Sequence, residues 1–275
     1  MTAIALALAA SLTWGVGDFL GGVTSRRLAA TMVLAVSQVA GLVAVMVFVL
    51  ARMEPAPALG ELLPAVGAGI GGAVGLGALY RGMAIGPIGV VAPISSAAAV
   101  VPLAVGLASG ESPSSLQLAG VALVLAGVGL ASREPSAGGR VAAGVGLALV
   151  AALGFGIFFV GIDAASDASV PWALVVARST SSAIAVALAL FGGASRPAGR
   201  DLPVLVAIGL FDVGANVLLA VALTKGLAGV VSVLASLYPA VTVLLARFVL
   251  GDRLAPAQRV GIVGALGGVA LISTG

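Results

Sequence analysis

Gly110-Glu111-Ser112-Pro113-Ser114-Ser115-Leu116-Gln117-Leu118-Ala119-Gly120 and Gly251-Asp252-Arg253-Leu254-Ala255-Pro256-Ala257-Gln258-Arg259-Val260-Gly261 share one frame, 141 positions apart. Glycine meets glycine at 110 and 251 and again at 120 and 261, and Gln117 meets Gln258. Working outward, the same offset sets Trp14-Gly15 against Phe155-Gly156 and carries the apolar pattern of residues 3–131 onto 141–272. A period this long exceeds any solenoid unit, so the halves read as two copies of one folded module.

Composition decides where such a module can live. Of 275 residues 61% are hydrophobic and 8% charged, and mean hydropathy is +1.24. A soluble surface carries about a quarter charged residues, so this chain has too few charges to cover itself in water. The sequence pI of about 10.2 would suggest nucleic acid in a soluble protein, but the net charge is only +3 and the arginines stand singly between apolar runs. They read as anchors at the membrane surface, with no nucleic-acid partner expected. Cysteine and histidine are both absent, which removes disulfides, thiol nucleophiles and imidazole chemistry. Arginine in place of lysine and heavy use of Ala and Gly suggest a GC-rich bacterial genome.

Since about 20 apolar residues cross a bilayer, the chain divides into ten spans near 2–22, 31–51, 62–84, 88–109, 114–131, 141–162, 170–191, 202–224, 228–249 and 256–273. The expected fold is all-α and membrane-integral, with residues 1–131 as the first five-helix repeat, 132–140 as a polar linker and 141–275 as the second repeat. The first span lacks a basic leader and recurs at 141–162, so it is expected to stay in the mature protein rather than act as a signal peptide. Five crossings return the chain to the opposite side, so the second repeat is expected upside down, the plan of many secondary transporters. Arg26, Arg27, Arg81, Arg133, Arg140, Arg196, Arg200, Arg247, Arg253 and Arg259 fall on one side of this ladder, and Arg52 and Lys225 on the other. Positive charge gathers inside, which places both termini outside.

Trp14-Gly15, Gly110-Glu111, Leu237-Tyr238-Pro239-Ala240 and Gly251-Asp252-Arg253, in register within a five-plus-five repeat, resemble the EamA-type transporters of the drug/metabolite transporter superfamily. The resemblance covers nearly the whole chain. It implies a ten-helix carrier of small metabolites, with spans 1–4 and 6–9 around a central cavity and spans 5 and 10 at the periphery. The family's usual cytoplasmic termini oppose the charge count. The sequence departs from the pattern at three points: Ala98 stands 141 positions before Pro239, Phe155 replaces the second tryptophan, and Asp18 occupies a site where small or amide residues are usual.

Chemistry at membrane depth must come from few groups, because a charge there costs about 2.5–3.5 kcal/mol even on lenient scales. Asp18, Arg178 and Asp212 are the charges well inside spans, and Asn216, the chain's single asparagine, lies one turn from Asp212 on the same face. On the first span Ser11, Trp14, Gly15, Asp18 and Gly22 share a protein-facing stripe, while Leu12, Val16, Phe19 and Val23 are expected to face lipid. Substrate contacts are expected from Trp14, Gln38, Tyr80, Arg178, Asp212, Asn216 and Tyr238, with Asp18 and Asp212 as proton carriers. Each has a plainer reading: Arg178 and Asp212 as a structural ion pair, Asp18 held by Arg26 or Arg81, Asn216 as an interhelical bond, and the aromatics as packing. Gly67, Gly69 and Gly72 spell G-x-G-x-x-G, but with no preceding strand they read as helix packing rather than a dinucleotide loop. Gly120, Gly127, Gly261, Gly264 and Gly268 likewise read as packing faces of spans 5 and 10, either within the chain or as a homodimer seam.

These features describe a secondary active transporter of small polar metabolites, amino-acid-like zwitterions above all. It would export by alternating access between two rocking five-helix modules, coupled to ions or protons, from the bacterial inner membrane. No cofactor or metal is expected. Export of organic cations or drugs by the same fold is the alternative; a channel or a non-transporting assembly protein is the alternative from another class. A membrane enzyme is not expected, because paired acids and a polar interfacial loop are missing.

Overall fold

The structure, a computed structural model, describes residues 2–86, 88–131, 139–250 and 256–274. Among the described residues every regular element is helical: α1 (Thr2–Thr24), α2 (Ala30–Arg52), α3 (Leu63–Ile85), α4 (Ile88–Ser95), α5 (Val100–Ala108), α6 (Ser115–Ala131), α7 (Gly139–Ser166), α8 (Val170–Phe191), α9 (Leu202–Leu223), α10 (Ala228–Ala235), α11 (Tyr238–Leu250) and α12 (Pro256–Thr274). Helix is what hydrocarbon demands, since each backbone N–H and C=O there needs a partner within its own segment. Six stretches (2–24, 30–52, 59–85, 144–191, 199–223 and 228–250) are long and apolar enough to cross a membrane, and shorter apolar helices cover Ala97–Ala108 and Ser115–Gly127. The polar linker at 132–138 and the Gly251–Ala255 mark lie outside the described residues.

Two expected spans are not continuous helices. The run 88–109 breaks at the 3₁₀ turn Ser96–Ala99, and the run 228–249 breaks at Ser236 and Leu237. Proline cannot donate to the carbonyl four residues back and its ring crowds that carbonyl. Pro102 therefore frees Ala98, and Pro239 frees Ala235, so different prolines interrupt both copies at matching depth.

The repeat is also visible in the helix ends. The chain leaves α2 through Met53 at φ 49°, with Met53 N–H donating to Leu50 O and Glu54 N–H to Val49 O. It leaves α8 through Gly193 at φ 65°, with Gly193 N–H donating to Leu190 O and Ala194 N–H to Ala189 O. Both are left-handed C-caps of the same form. Equivalent contacts put the offset at 140, not 141, through the middle of each copy. A Cβ on Gly69 would meet Ala177 O at 2.5 Å, and one on Gly209 would meet Ser37 O at 2.2 Å, so 69 pairs with 209 and 37 with 177. Starts at Ile88 and Ala228 agree, which makes Ala99, not Ala98, the partner of Pro239.

Packing order locates the interior. Following contacts from neighbour to neighbour gives a closed ring: α1, α9, α2, α8, α3, α7, the α4–α5 segment, the α10–α11 segment, and α1 again. Successive members come alternately from the first and second copy. The two copies thus interleave around the ring. α6 and α12 pair beside the ring. Close backbone approach needs glycine at these seams: a Cβ on Gly71 would sit 2.6 Å from Gly154 O, one on Gly154 2.6 Å from Gly71 O, and one on Gly268 2.6 Å from Gly120 O. The glycines of spans 5 and 10 therefore meet each other within the chain. Ser11, Trp14, Gly15, Asp18 and Gly22 are buried as expected and Leu12 is exposed, but Phe19 is buried rather than lipid-facing. It packs with Leu79, Tyr80 and Met83 of α3, a second neighbour that a one-face reading of α1 leaves out.

Candidate functional site

Inside the ring, one carboxylate gathers four helices. Asp212 of α9 accepts from Trp14 Nε1 of α1 at 2.9 Å and from Asn216 Nδ2, one turn along α9, at 3.3 Å, both on Oδ1. Its Oδ2 accepts from Gln38 Nε2 of α2 at 3.0 Å and from Arg178 Nη1 of α8 at 2.6 Å. Gln38 Oε1 in turn accepts from Arg178 Nη1 and from Ser181 Oγ, each at 2.7 Å. All these side chains are nearly excluded from the surface. An ion pair at this depth holds only with its remaining valences satisfied, and Gln38 supplies that by donating to the acid and accepting from the base.

The satisfaction is incomplete in one direction. Arg178 Nη2 and Asn216 Oδ1 are buried without a hydrogen-bond partner, and both residues line a cavity whose empty volume, open mouth included, is about 570 Å³. Pairing and cavity-facing, two readings of Arg178 that compete in the sequence, coexist: one nitrogen binds Asp212 and the other is left over. Asp18 lines the same cavity. It accepts no hydrogen bond from a described residue, so the expected rival contact to Arg26 or Arg81 is not made; both arginines are exposed.

Leu76 of α3 and Phe155, Phe158 and Phe159 of α7 line the same cavity, with Phe159 against Trp14 at 5.9 Å between ring centroids. Tyr238 closes one end, edge-on to Trp14 at 6.2 Å and to Phe155 at 6.4 Å, and its hydroxyl shares a hydrogen bond with Ser95 Oγ. That bond ties the end of α4 to the start of α11, the two points where the broken spans part. Of the residues singled out in the sequence, Trp14, Asp18, Gln38, Arg178, Asp212, Asn216 and Tyr238 line the cavity. Tyr80 does not. Its ring fills the notch over Gly21, where a Cβ would lie 2.3 Å from Cζ, and it belongs to the α1–α3 packing. Phe158, Phe159 and Ser181 join the site without having been selected as contacts; the signal for the phenylalanines was their place in the copy of the Trp14 helix.

Glu111 finds a structural role. Its carboxylate accepts from the backbone N–H of Ala228 at 3.0 Å and of Gly229 at 3.5 Å, which seats the first turn of α10. The Gly-acid mark after span 4 is therefore a helix cap reaching into the other copy.

A model of the EamA-like transporter family matches residues 1–133 and again 142–274. The chain belongs to the EamA-like transporter family. It is a multi-pass membrane protein of the drug/metabolite transporter type. A solved crystal structure is similar over 99% of this EamA-like transporter and 96% of that chain, with a TM-score of 0.70 and 18% identity; at that identity it speaks for the fold alone. Comparison with curated proteins gives no match.

Proposed function

We propose that the protein is a secondary active transporter of small zwitterions with an apolar body, amino-acid-like in form, exporting them across the bacterial inner membrane by alternating access. The observation that carries this reading is that Arg178, whose Nη2 is buried without a partner, lines one cavity together with Asn216, whose Oδ1 is likewise unpartnered, and with Asp18. A substrate carboxylate suits the free guanidinium nitrogen, because two charged partners in a dry site bind more strongly than neutral ones. An ammonium group suits Asp18, and its N–H also suits Asn216 Oδ1. The phenylalanine wall takes the remainder of the molecule, as pockets of this kind are mostly apolar with a few placed polar groups.

Ten crossings with inverted halves and external termini complete the proposal. Contacts join loops of the two copies: Arg27 after α1 bonds Asp201 before α9, and Trp172 Nε1 at the start of α8 donates to Glu54 O after α2 at 3.1 Å. Because the copies interleave, the moving parts must each take helices from both. A homodimer would use the lipid-facing sides of α6 and α12, where Leu116, Val260 and Val263 are exposed, since their glycine faces are already occupied. Organic-cation export is the second reading, favoured by the five aromatic residues at the cavity, Trp14, Phe155, Phe158, Phe159 and Tyr238, whose faces attract cations.

Thermal-shift screening of purified protein against metabolites and cations identifies the ligand class, and uptake into proteoliposomes then separates the two readings. Arg178→Ala should abolish transport of a zwitterion and spare that of a cation. In variant protein that still inserts and unfolds cooperatively, loss of both, or of neither, contradicts the assignment of Arg178 to the substrate carboxylate. Reporter fusions at Gly275 and Ser136 should place the C-terminus outside and the linker in the cytoplasm.

A further inference from the structure

The ion pair at the centre of the site is made on one leg. A guanidinium and a carboxylate commonly meet fork to fork, two nitrogens on two oxygens, but here Arg178 Nη1 alone meets Asp212 Oδ2, at 2.6 Å. Nη2 stays buried and unpartnered. Some neighbour must hold the pair off its better geometry, and the hydrogen bonds name it. Gln38 Oε1 takes the other hydrogen of Nη1 at 2.7 Å, and Gln38 Nε2 donates to the same Oδ2 at 3.0 Å. Asp212 Oδ1 is already turned to Trp14 and Asn216, so Gln38 holds the remaining side of both partners. The amide can face only this way. Turned over, it would set its N–H groups against the guanidinium and its oxygen against the carboxylate, donor to donor and acceptor to acceptor. One turn along α2 from Gln38, a Cβ on Gly41 would stand 3.6 Å from Arg178 Cζ. The guanidinium therefore lies along α2, and Gln38 on that helix sets its angle.

We infer that Gln38 is a positioning residue that sets the class of substrate: by keeping the Arg178–Asp212 pair on one leg it reserves Nη2 for the carboxylate of the ligand. The inference rests on the zwitterion reading above and deepens it. Without Gln38 the guanidinium is free to turn, the pair closes fork to fork, and Nη2 is spent on Asp212. The site then loses its place for a carboxylate and keeps its place for an amine. The closed pair is itself well satisfied, and Ser181 Oγ, which donates to Gln38 Oε1, retains its bond to Arg178 O at 3.2 Å. Loss of Gln38 thus removes a function without removing the fold. Gln38→Glu goes further, because the new carboxylate accepts from Arg178 as the amide does, cannot donate to Asp212, and adds a negative charge beside the one guanidinium.

Uptake of proteinogenic amino acids, and of the amines formed by their decarboxylation, into proteoliposomes of the full-length protein tests it. Gln38→Met, similar in length and without hydrogen bonds to offer, should raise KM for amino acids about tenfold or more, the worth of one hydrogen bond to a charged group. Its kcat, its KM for amines and its unfolding temperature should stay near those of wild type. Gln38→Glu should invert the preference, raising KM for amino acids and lowering it for amines. A wild-type KM for amino acids in Gln38→Met, or equal weakening of amino acids and amines, overturns the inference. Should Gln38→Met fail to fold, Gln38→Glu decides, and an unchanged preference there overturns it. Arg178→Ala keeps the two ideas apart. If it abolishes amino-acid uptake while Gln38→Met leaves KM unchanged, the positioning role falls alone. If amino-acid uptake survives Arg178→Ala, or no amino acid is carried, the zwitterion reading falls and the inference with it.

Discussion

Trp14, Asp18, Asp212 and Asn216 line the cavity together with their counterparts in the other copy, Phe155, Phe159, Gly72 and Leu76, and Trp14 touches Phe159 with ring centroids 5.9 Å apart. The pairs occupy equivalent helices, α1 with α7 and α9 with α3, and every polar member has an apolar partner. Beside them lie Gln38 and Arg178, equivalent residues on the contacting helices α2 and α8. The scaffold is thus shared while the chemistry is divided: helix breaks, caps and glycine seams recur, and the acids at the cavity do not. A symmetric cavity would repel or attract a ligand equally from both sides. This one sets the charged residues of one copy beside the aromatic and aliphatic residues of the other.

The division is tested most severely at Asp212. Asp212→Ala removes the acceptor of four donors and strands Arg178, so it should cost about 3–5 kcal/mol, read as a fall in thermal unfolding temperature in detergent. Arg178→Met combined with Asp212→Leu should recover most of the loss. The partner change Gly72→Ala adds a methyl 3.3 Å from the edge of the Phe158 ring, which can yield, and should leave stability nearly unchanged. An equal cost at both positions would mean that the hub is packing rather than charge.

The apolar lining comes next. Phe158→Ala and Phe159→Ala should weaken binding of a bulky zwitterion about tenfold or more, the worth of a lost hydrophobic contact, while affecting a small one such as glycine far less. Equal losses for both ligands would erase the distinction between the copies.

A smaller difference sits outside the cavity, where the copies end α2 and α8 with the same left-handed cap on different residues. Only at Gly193 is that conformation free of steric cost. Met53→Gly should stabilise the protein, and Gly193→Ala destabilise it, by about 1 kcal/mol each, measured by thermal unfolding. No response at either position would show that the cap geometry is not shared.

The smallest effect is expected at the paired turns before α3 and α9. Glu61 and Asp201 each accept from a backbone N–H three residues back, of Ala58 at 3.1 Å and Ala198 at 3.2 Å, but Asp201 alone also binds Arg27. The hydrogen bond from Arg27 holds the Asp201 carboxyl below its ordinary value. A lowered carboxyl stabilises the fold above the unfolded-state value of about 3.9 and loses that contribution as pH falls through the folded-state value. The small difference in unfolding temperature between wild type and Arg27→Ala at pH 7 should therefore narrow as pH falls below about 3.9. A gap that persists there would assign Arg27 a packing role.

Much of this was legible beforehand because hydropathy and periodicity are local. The membrane class, the two copies, the helix positions within a few residues, and the pairing of Asp212 with Asn216 follow from residues within a turn or a span of one another. Tyr80 and Phe19 show the complementary case: a buried aromatic looks the same in sequence whether it faces a cavity, faces lipid or, like Tyr80, fills a notch over Gly21. The breaks at Ser96–Ala99 and Ser236–Leu237 were readable in principle from Pro102 and Pro239, since the lost donor is a local fact.

What the sequence determined by itself is the material of the protein: apolar helices long enough for a bilayer, a duplicated plan, and three charges too deep to be accidental. What only the tertiary structure decided is which groups meet. Interleaving of the copies brings Trp14, Gln38, Arg178 and Asp212 together from four helices up to 198 positions apart, and leaves Arg178 Nη2, Asn216 Oδ1 and Asp18 uncommitted at one cavity. A helix fixes the direction of a side chain relative to its own axis, but the neighbour on that side is chosen by ridge, groove and glycine seam across the ring, and those contacts are long-range.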